Sequence, residues 1–113
     1  MSDSYYTSYS TSVALRDAGA PQDASQRKPR WCPVNRKHGH VEVMMSNYPQ
    51  CERAWRADEI IEALGDRLAS IYHDPDEPWF VVIDDVPVPI HFRGDSLVEA
   101  LAAAWLAVLK EVK

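Results

Sequence analysis

The 113-residue sequence predicts an α+β domain in which a small antiparallel sheet packs against two helices, in the order β-α-β-β-α. Three observations lead there. Residues 57–71 and 96–113 repeat apolar side chains at three- and four-residue spacing, as helices with one buried face do. Residues 39–46, 79–83 and 86–92 alternate or run apolar over strand lengths. Two helices with wide apolar faces need a sheet to cover, which favours helices packed on one small sheet.

Residues 1–30 read as a flexible or irregular N-terminal arm, and 31–113 as a single domain. Tyr5, Tyr6 and Tyr9 sit among Ser and Thr, and Asp17–Arg30 mixes Gly, Pro, Gln, Ser and charge without a period. In Gly39–Ser46, Val41, Val43 and Met45 alternate with His40, Glu42 and Met44, which argues a strand with one buried face. Asn47-Tyr48-Pro49-Gln50 follows as a turn.

The first helix is expected over Ala57–Ile71. Asp58, Glu59 and Glu62 complement the dipole near its start, and Ile60, Ile61, Leu64, Leu68 and Ile71 make its apolar stripe. Gly65 weakens the middle by about 1 kcal/mol relative to Ala. Pro75 ends the helix within His73-Asp74-Pro75-Asp76, because the residue before a proline leaves helical geometry. Trp79–Ile83 and Val86–Phe92 form a hairpin around Asp84-Asp85. Pro87 and Pro89 remove donors from one lateral side of the second strand, which makes it an edge strand.

The C-terminal helix carries the clearest signals. Ser96-Leu97-Val98-Glu99 fits a capping box. Val98, Leu101, Trp105, Val108 and Val112 form a stripe, and Lys110 and Lys113 favour the C-terminal end. Few charges interrupt it, so it is expected to be mostly buried.

At this length about 65% of the unfolded chain's surface is buried on folding. No apolar run reaches the ~18–20 residues of a membrane span. The first twelve residues lack the basic and apolar regions of a secretory signal, so a cytoplasmic, reducing location is expected. Two cysteines are too few for a disulfide framework, although a Cys32–Cys51 bridge is open on distance grounds. Charge is uneven. Residues 1–50 carry six Lys/Arg against four acids (+2), and residues 51–113 carry six against thirteen (−7). An acidic fold is repelled by phosphates and anionic lipid, so its easier partner is a protein with a basic surface, and direct nucleic-acid binding is disfavoured.

Four constellations carry candidate chemistry. Cys32, His38, His40 and Cys51 supply two thiols and two imidazoles for a tetrahedral zinc, yet the spacing C-x5-H-x-H-x10-C fits no standard finger. The plain alternative is buried thiols and surface histidines, with no cofactor. Cys32 as a nucleophile lacks an orienting third group and an oxyanion-forming Gly run. Asp74, Asp76, Glu77, Asp84 and Asp85 meet at a hairpin end, where a solvated acidic rim is the reading preferred over a cation site or an acid/base pair. Arg27-Lys28-Pro29-Arg30-Trp31 and Arg36-Lys37-His38 interleave cations with an aromatic, which reads first as a solvated basic linker and second as a nucleic-acid contact. Of four tryptophans, Trp79 and Trp105 belong to elements and are assigned to the core. Trp31 and Trp55 flank elements and are candidate interface anchors, alongside the acids Asp58, Glu59, Glu62, Asp66, Asp74, Asp76, Glu77, Asp84 and Asp85.

The run Ala57-Asp58-Glu59-Ile60-Ile61, then Trp79-Phe80-Val81-Val82, Asp95-Ser96-Leu97-Val98-Glu99-Ala100 and Ala103-Ala104-Trp105 resembles small bacteriophage proteins of the ABA-sandwich and NinX-like kind. The resemblance covers about half the chain and implies a phage or prophage accessory protein without a known reaction. No convergent polar groups mark a catalytic pocket. The expected function is therefore non-enzymatic protein binding, such as inhibition of a host defence complex of the CRISPR-Cas type in the host cytoplasm. The alternative is a small zinc-stabilised nucleic-acid-binding module. The C-terminal helix either completes a monomer or forms a homodimer interface.

Overall fold

The computed structural model describes residues 6–22, 26–35, 40–46, 51–73, 75, 78–84 and 89–111. Its elements are α1 (Tyr9–Ala18), β1 (Lys28–Asn35), β2 (His40–Ser46), β3 (Glu52–Arg53), α2 (Ala57–Leu64), a 3-10 turn (Gly65–Arg67), β4 (Leu68–His73), β5 (Trp79–Ile83), β6 (Ile90–Gly94) and α3 (Leu97–Glu111). The α+β class holds. The detail differs from expectation: among the described residues three α-helices replace two, and two antiparallel three-stranded sheets, β2-β1-β3 and β4-β5-β6, replace one.

Each departure has a local cause. The helix expected over 57–71 stops at Leu64 because Gly65 takes a positive φ of 55°, which L side chains resist. Leu68 and Ile71 then lie on β4. Both pack against the core, so the spacing that fitted a helical stripe also fitted a strand. Strand β1 crosses position 30 and is central to its sheet despite Pro29 and Pro33. The Pro29 carbonyl accepts from Ala54 N–H at 2.9 Å, so residue 29 faces β3 laterally. Residues 31 and 33 share that direction, and the missing proline donors therefore fall toward two-residue β3, sparing the ladder to β2. Met45, expected on a buried face, is 54% exposed, and Met44 is 40% exposed. The edge-strand expectation agrees with β6 standing outermost in its sheet; residues 85–88 lie outside the described residues.

Helix α1 occupies the segment read as an irregular arm. Ser8 caps it by accepting from Thr11 N–H at 3.2 Å, and Gly19 closes it in the left-handed region. Only Ser12 and Leu15 of this helix are buried, so its apolar signal is weak. Polar contacts hold it instead. Thr7 is fully buried, its N–H donates to Trp55 O (2.8 Å), and its carbonyl accepts from Trp31 Nε1 (2.9 Å). Its hydroxyl accepts from Trp55 N–H (3.1 Å) and lies 2.8 Å from the Ser12 hydroxyl. The Ser12 proton goes to Ser8 O, so Thr7 is the donor in that pair.

Ser96 accepts from Glu99 N–H as the capping box requires, but the Glu99 carboxylate does not turn back. It accepts from Ser8 N–H (2.8 Å) and the Thr11 hydroxyl (2.6 Å), binding α1 to α3. Helix α3 contributes Val98, Ala100, Leu101, Ala102, Ala104 and Trp105 to the core, beside Leu15, Ile60, Leu64, Val81 and Ile83. It packs on β5 and β6, and α1 and α2 pack on it. Gly94 permits the approach at the end of β6, since a Cβ there would stand 2.5 Å from Ala100 N.

Replacing Thr7 by Val keeps the shape and strands Trp55 N–H without its acceptor. The expected loss is about 2 kcal/mol in urea unfolding, the cost of an unsatisfied buried donor. Gly94→Ala is expected to cost about 1–3 kcal/mol by overpacking against the α3 backbone, measured the same way.

Candidate functional site on the open face of the second sheet

Strand register divides the side chains of β4-β5-β6 between two faces. Ile71, Val81 and Phe92 are aligned and point toward α3, as do Leu68 and Ile83. Tyr72, Phe80 and Arg93 are aligned on the opposite face, next to the row Ser70, Val82 and His91. Helix α3 is the described helix that packs extensively on this sheet, and it lies on the first face.

The opposite face is unusually aromatic. Tyr72 and Phe80 stack with centroids 5.0 Å apart and planes 13° from parallel, and His91 meets Tyr72 edge-on at 6.5 Å. Tyr72 is 44% exposed, and His91 and Arg93 are exposed as well, so the platform reaches solvent. His73 stacks on Trp79 at 4.3 Å in the next row, which belongs to the face that Ile71 and Val81 share. Such flat rings offer apolar area with little conformational freedom to lose, and their π-faces attract guanidinium and ammonium groups. Asp66 and Asp84, both exposed, stand at one end of the sheet, where Asp84 N–H donates to Arg67 O at 2.8 Å.

The expected anchors are placed differently. Trp55 is 5% exposed, not partly open: it packs edge-on to Trp105 at 4.7 Å, and the Arg53 guanidinium lies 3.7 Å above its ring. Trp31 is half-buried, committed to Thr7 O and to an edge contact with Tyr9. Of the acids, Asp58, Glu62, Asp66 and Asp84 are exposed. Asp58 pairs with Arg56 at 3.2 Å. Glu59 is half-buried, caps α2 by accepting from Arg56 N–H (2.9 Å) and pairs with Arg53 (2.6 Å). Asp74, Asp76, Glu77 and Asp85 lie outside the described residues.

A groove of about 290 Å³ runs over Lys28, Arg53, Trp55, Glu59, Glu62 and Trp105. Its charges are largely answered within it by the Arg53–Glu59 pair, so it offers little to an ionic ligand. Cys32 and Cys51 follow directly on the Trp31–Glu52 pair of the β1–β3 ladder and are neighbours, both 4% exposed and free. His38 lies outside the described residues, and the structure gives no described side chain for His40. Among the described residues no group of three or more His, Cys, Asp or Glu gathers to hold a metal. Also among them, no helix is long and apolar enough to cross a membrane.

The aromatic platform is hidden in the sequence because the spacing of Leu64, Leu68 and Ile71 also fits a helix. With β4 as a strand, the period-two pattern puts Tyr72 on the outer face, and hairpin pairing then brings Phe80 beside it. Comparison of the chain with protein-family models, with characterised proteins and with solved structures returns no match.

The two classes of aromatic side chain are expected to respond differently to truncation. Tyr72→Ser should cost less than about 1 kcal/mol, the scale of a surface aromatic pair. Trp105→Ala, which empties the core beside Trp55, should cost about 3–5 kcal/mol in the same denaturant titration.

Proposed function

We propose that this chain is a non-catalytic binding protein that docks a basic protein surface on the open face of β4-β5-β6. The observation that carries the reading is the exposed Tyr72 ring stacked on half-buried Phe80, on a part of the chain, residues 51–113, with a formal charge of −7. Aromatic faces supply apolar area and cation–π attraction, while Asp66 and Asp84 supply Coulombic complementarity at one end. A single-stranded nucleic acid also stacks on aromatic platforms, but such sites track the phosphates with a positively charged groove. Arg93 and His91 are the described cations of this face, on a part of the chain whose formal charge is −7. Charge favours the protein partner.

In its finer form the proposal is a phage accessory protein that occupies the cationic surface of a host nucleic-acid-binding complex, such as a defence effector. Its support is the resemblance to small phage proteins together with the acidic charge, which imitates that of the nucleic acid displaced.

An octa-arginine peptide and a single-stranded oligonucleotide, each labelled, serve as opposed probes in fluorescence anisotropy. The peptide is expected to bind with an affinity that falls as salt rises. A Tyr72→Ser/Phe80→Ser double variant that keeps its fold by circular dichroism should bind at least tenfold more weakly. Peptide binding indifferent to that variant, or binding of the oligonucleotide alone, would overturn the proposal.

A further inference from the structure

The ladder between β1 and β3 places the two cysteines opposite each other. Arg30 pairs with Arg53 and Trp31 with Glu52 in antiparallel register, so Cys32 and Cys51 are the next pair in line. The Pro29–Ala54 hydrogen bond fixes the phase of that ladder. Counting from it, positions 29/54 and 31/52 are the hydrogen-bonded pairs, whereas 30/53 and 32/51 are the non-hydrogen-bonded ones. In a pair of the second type the Cα atoms stand about 4.5 Å apart and the side chains lie closest. That separation falls within the ~4.4–6.8 Å span of disulfides. Burial first, then the neighbouring Cys32 thiol, pushes the Cys51 thiol up to about 11.

We infer that Cys32 and Cys51 form a thiol pair that closes reversibly to an intramolecular disulfide, with a low-molecular-weight disulfide such as oxidised glutathione as the oxidant. One cysteine thiolate attacks the glutathione disulfide, forming a mixed disulfide and releasing one glutathione. The other cysteine, as thiolate, displaces the second glutathione and completes the S–S bond. Both protein thiols are oxidised, and one glutathione disulfide is reduced to two thiols.

A metal bound by the same two sulfurs fits less well. Arg30 is 1% exposed and occupies the neighbouring position on the same face of β1, close enough for its charge to favour the Cys51 thiolate. That charge offsets only part of the burial that raises the Cys51 thiol, and it opposes a second cation.

The bridge would tie β3 to the central strand immediately before the segment that supplies Glu52, Arg53 and Trp55 to α1, α2 and the core. Closing a loop of about 20 residues restricts the unfolded chain, and the expected rise in melting temperature is roughly 10 °C.

The test refolds the whole reduced chain from denaturant in glutathione buffers of graded redox poise, which gives buried thiols access to exchange. The expected product has lost two free thiols as a monomer on a non-reducing gel, with peptides containing Cys32 and Cys51 joined and 2 Da lighter than their sum. Bridged chain should exceed glutathione-capped chain at least tenfold, and dithiothreitol should reverse the gain in melting temperature. Cys32→Ser and Cys51→Ser should each remove the gain. Glutathione caps on either cysteine in place of the bridge, disulfide-linked dimers, or a bridged chain that melts at or below the reduced one would each overturn the inference.

Discussion

Helix α3 is buried or half-buried all round from Leu97 to Leu109, and the other elements are arranged around that constraint. Ala100, Ala102 and Ala104 are buried together with Val98, Leu101 and Trp105, so its buried residues do not form a single narrow stripe. Small side chains let α1, α2 and the β5–β6 hairpin approach the same helix. Trp105 fills the space those alanines leave toward Trp55. Burial of this kind is non-directional, and it sets which elements meet without fixing their angles.

Direction comes from a few polar residues with more than one duty. Both α2 and α3 carry a glutamate in the first turn. Glu59 closes its own helix end through one oxygen and takes Arg53 with the other. Glu99 gives both oxygens to the start of α1, the start of another helix. A carboxylate at a helix N-terminus is already favoured by the dipole, and accepting two further donors there adds little desolvation. Thr7 performs the matching task toward β1 and the Trp55 segment. The first turn of α1 is thereby fixed to α3, to β1 and to the approach to α2, although its apolar contribution is close to a single leucine.

That division explains how much could be read from the sequence. The stripe and cap of α3 and the Trp79–Ile83 strand are strong period signals, and both elements are found where expected. The start of α2 was legible from its acids and isoleucines. Its end was not, because Leu64, Leu68 and Ile71 satisfy helical spacing while Leu68 and Ile71 also face one side of β4, across the ladder irregularity between Leu68 and Ser70. Only the backbone freedom of Gly65 decides between the readings. Helix α1 announced itself through Ser8 and Gly19 alone, and β1 was hidden by two prolines whose harmlessness depends on a lateral partner two residues long. The Tyr72–Phe80 platform inherits the α2 error. The meeting of Cys32 with Cys51 depends on a register between strands nineteen positions apart, which no local pattern encodes.

The same arrangement determines what a partner meets. Arg30 and Arg53 are buried, whereas among the described carboxylates only Glu52 is buried. Folding therefore withdraws more positive than negative charge from contact, and the exposed surface is more acidic than the net charge of −5 implies. The two sheets divide their roles accordingly. One face of the first is taken up by Trp31, Glu52 and α1, and the other holds the buried guanidiniums and the thiols. The second sheet needs only one face for α3. Its other face keeps flat rings in reach of solvent between Arg93 and the acids Asp66 and Asp84, a gradient of charge that would orient an elongated basic partner as well as attract it.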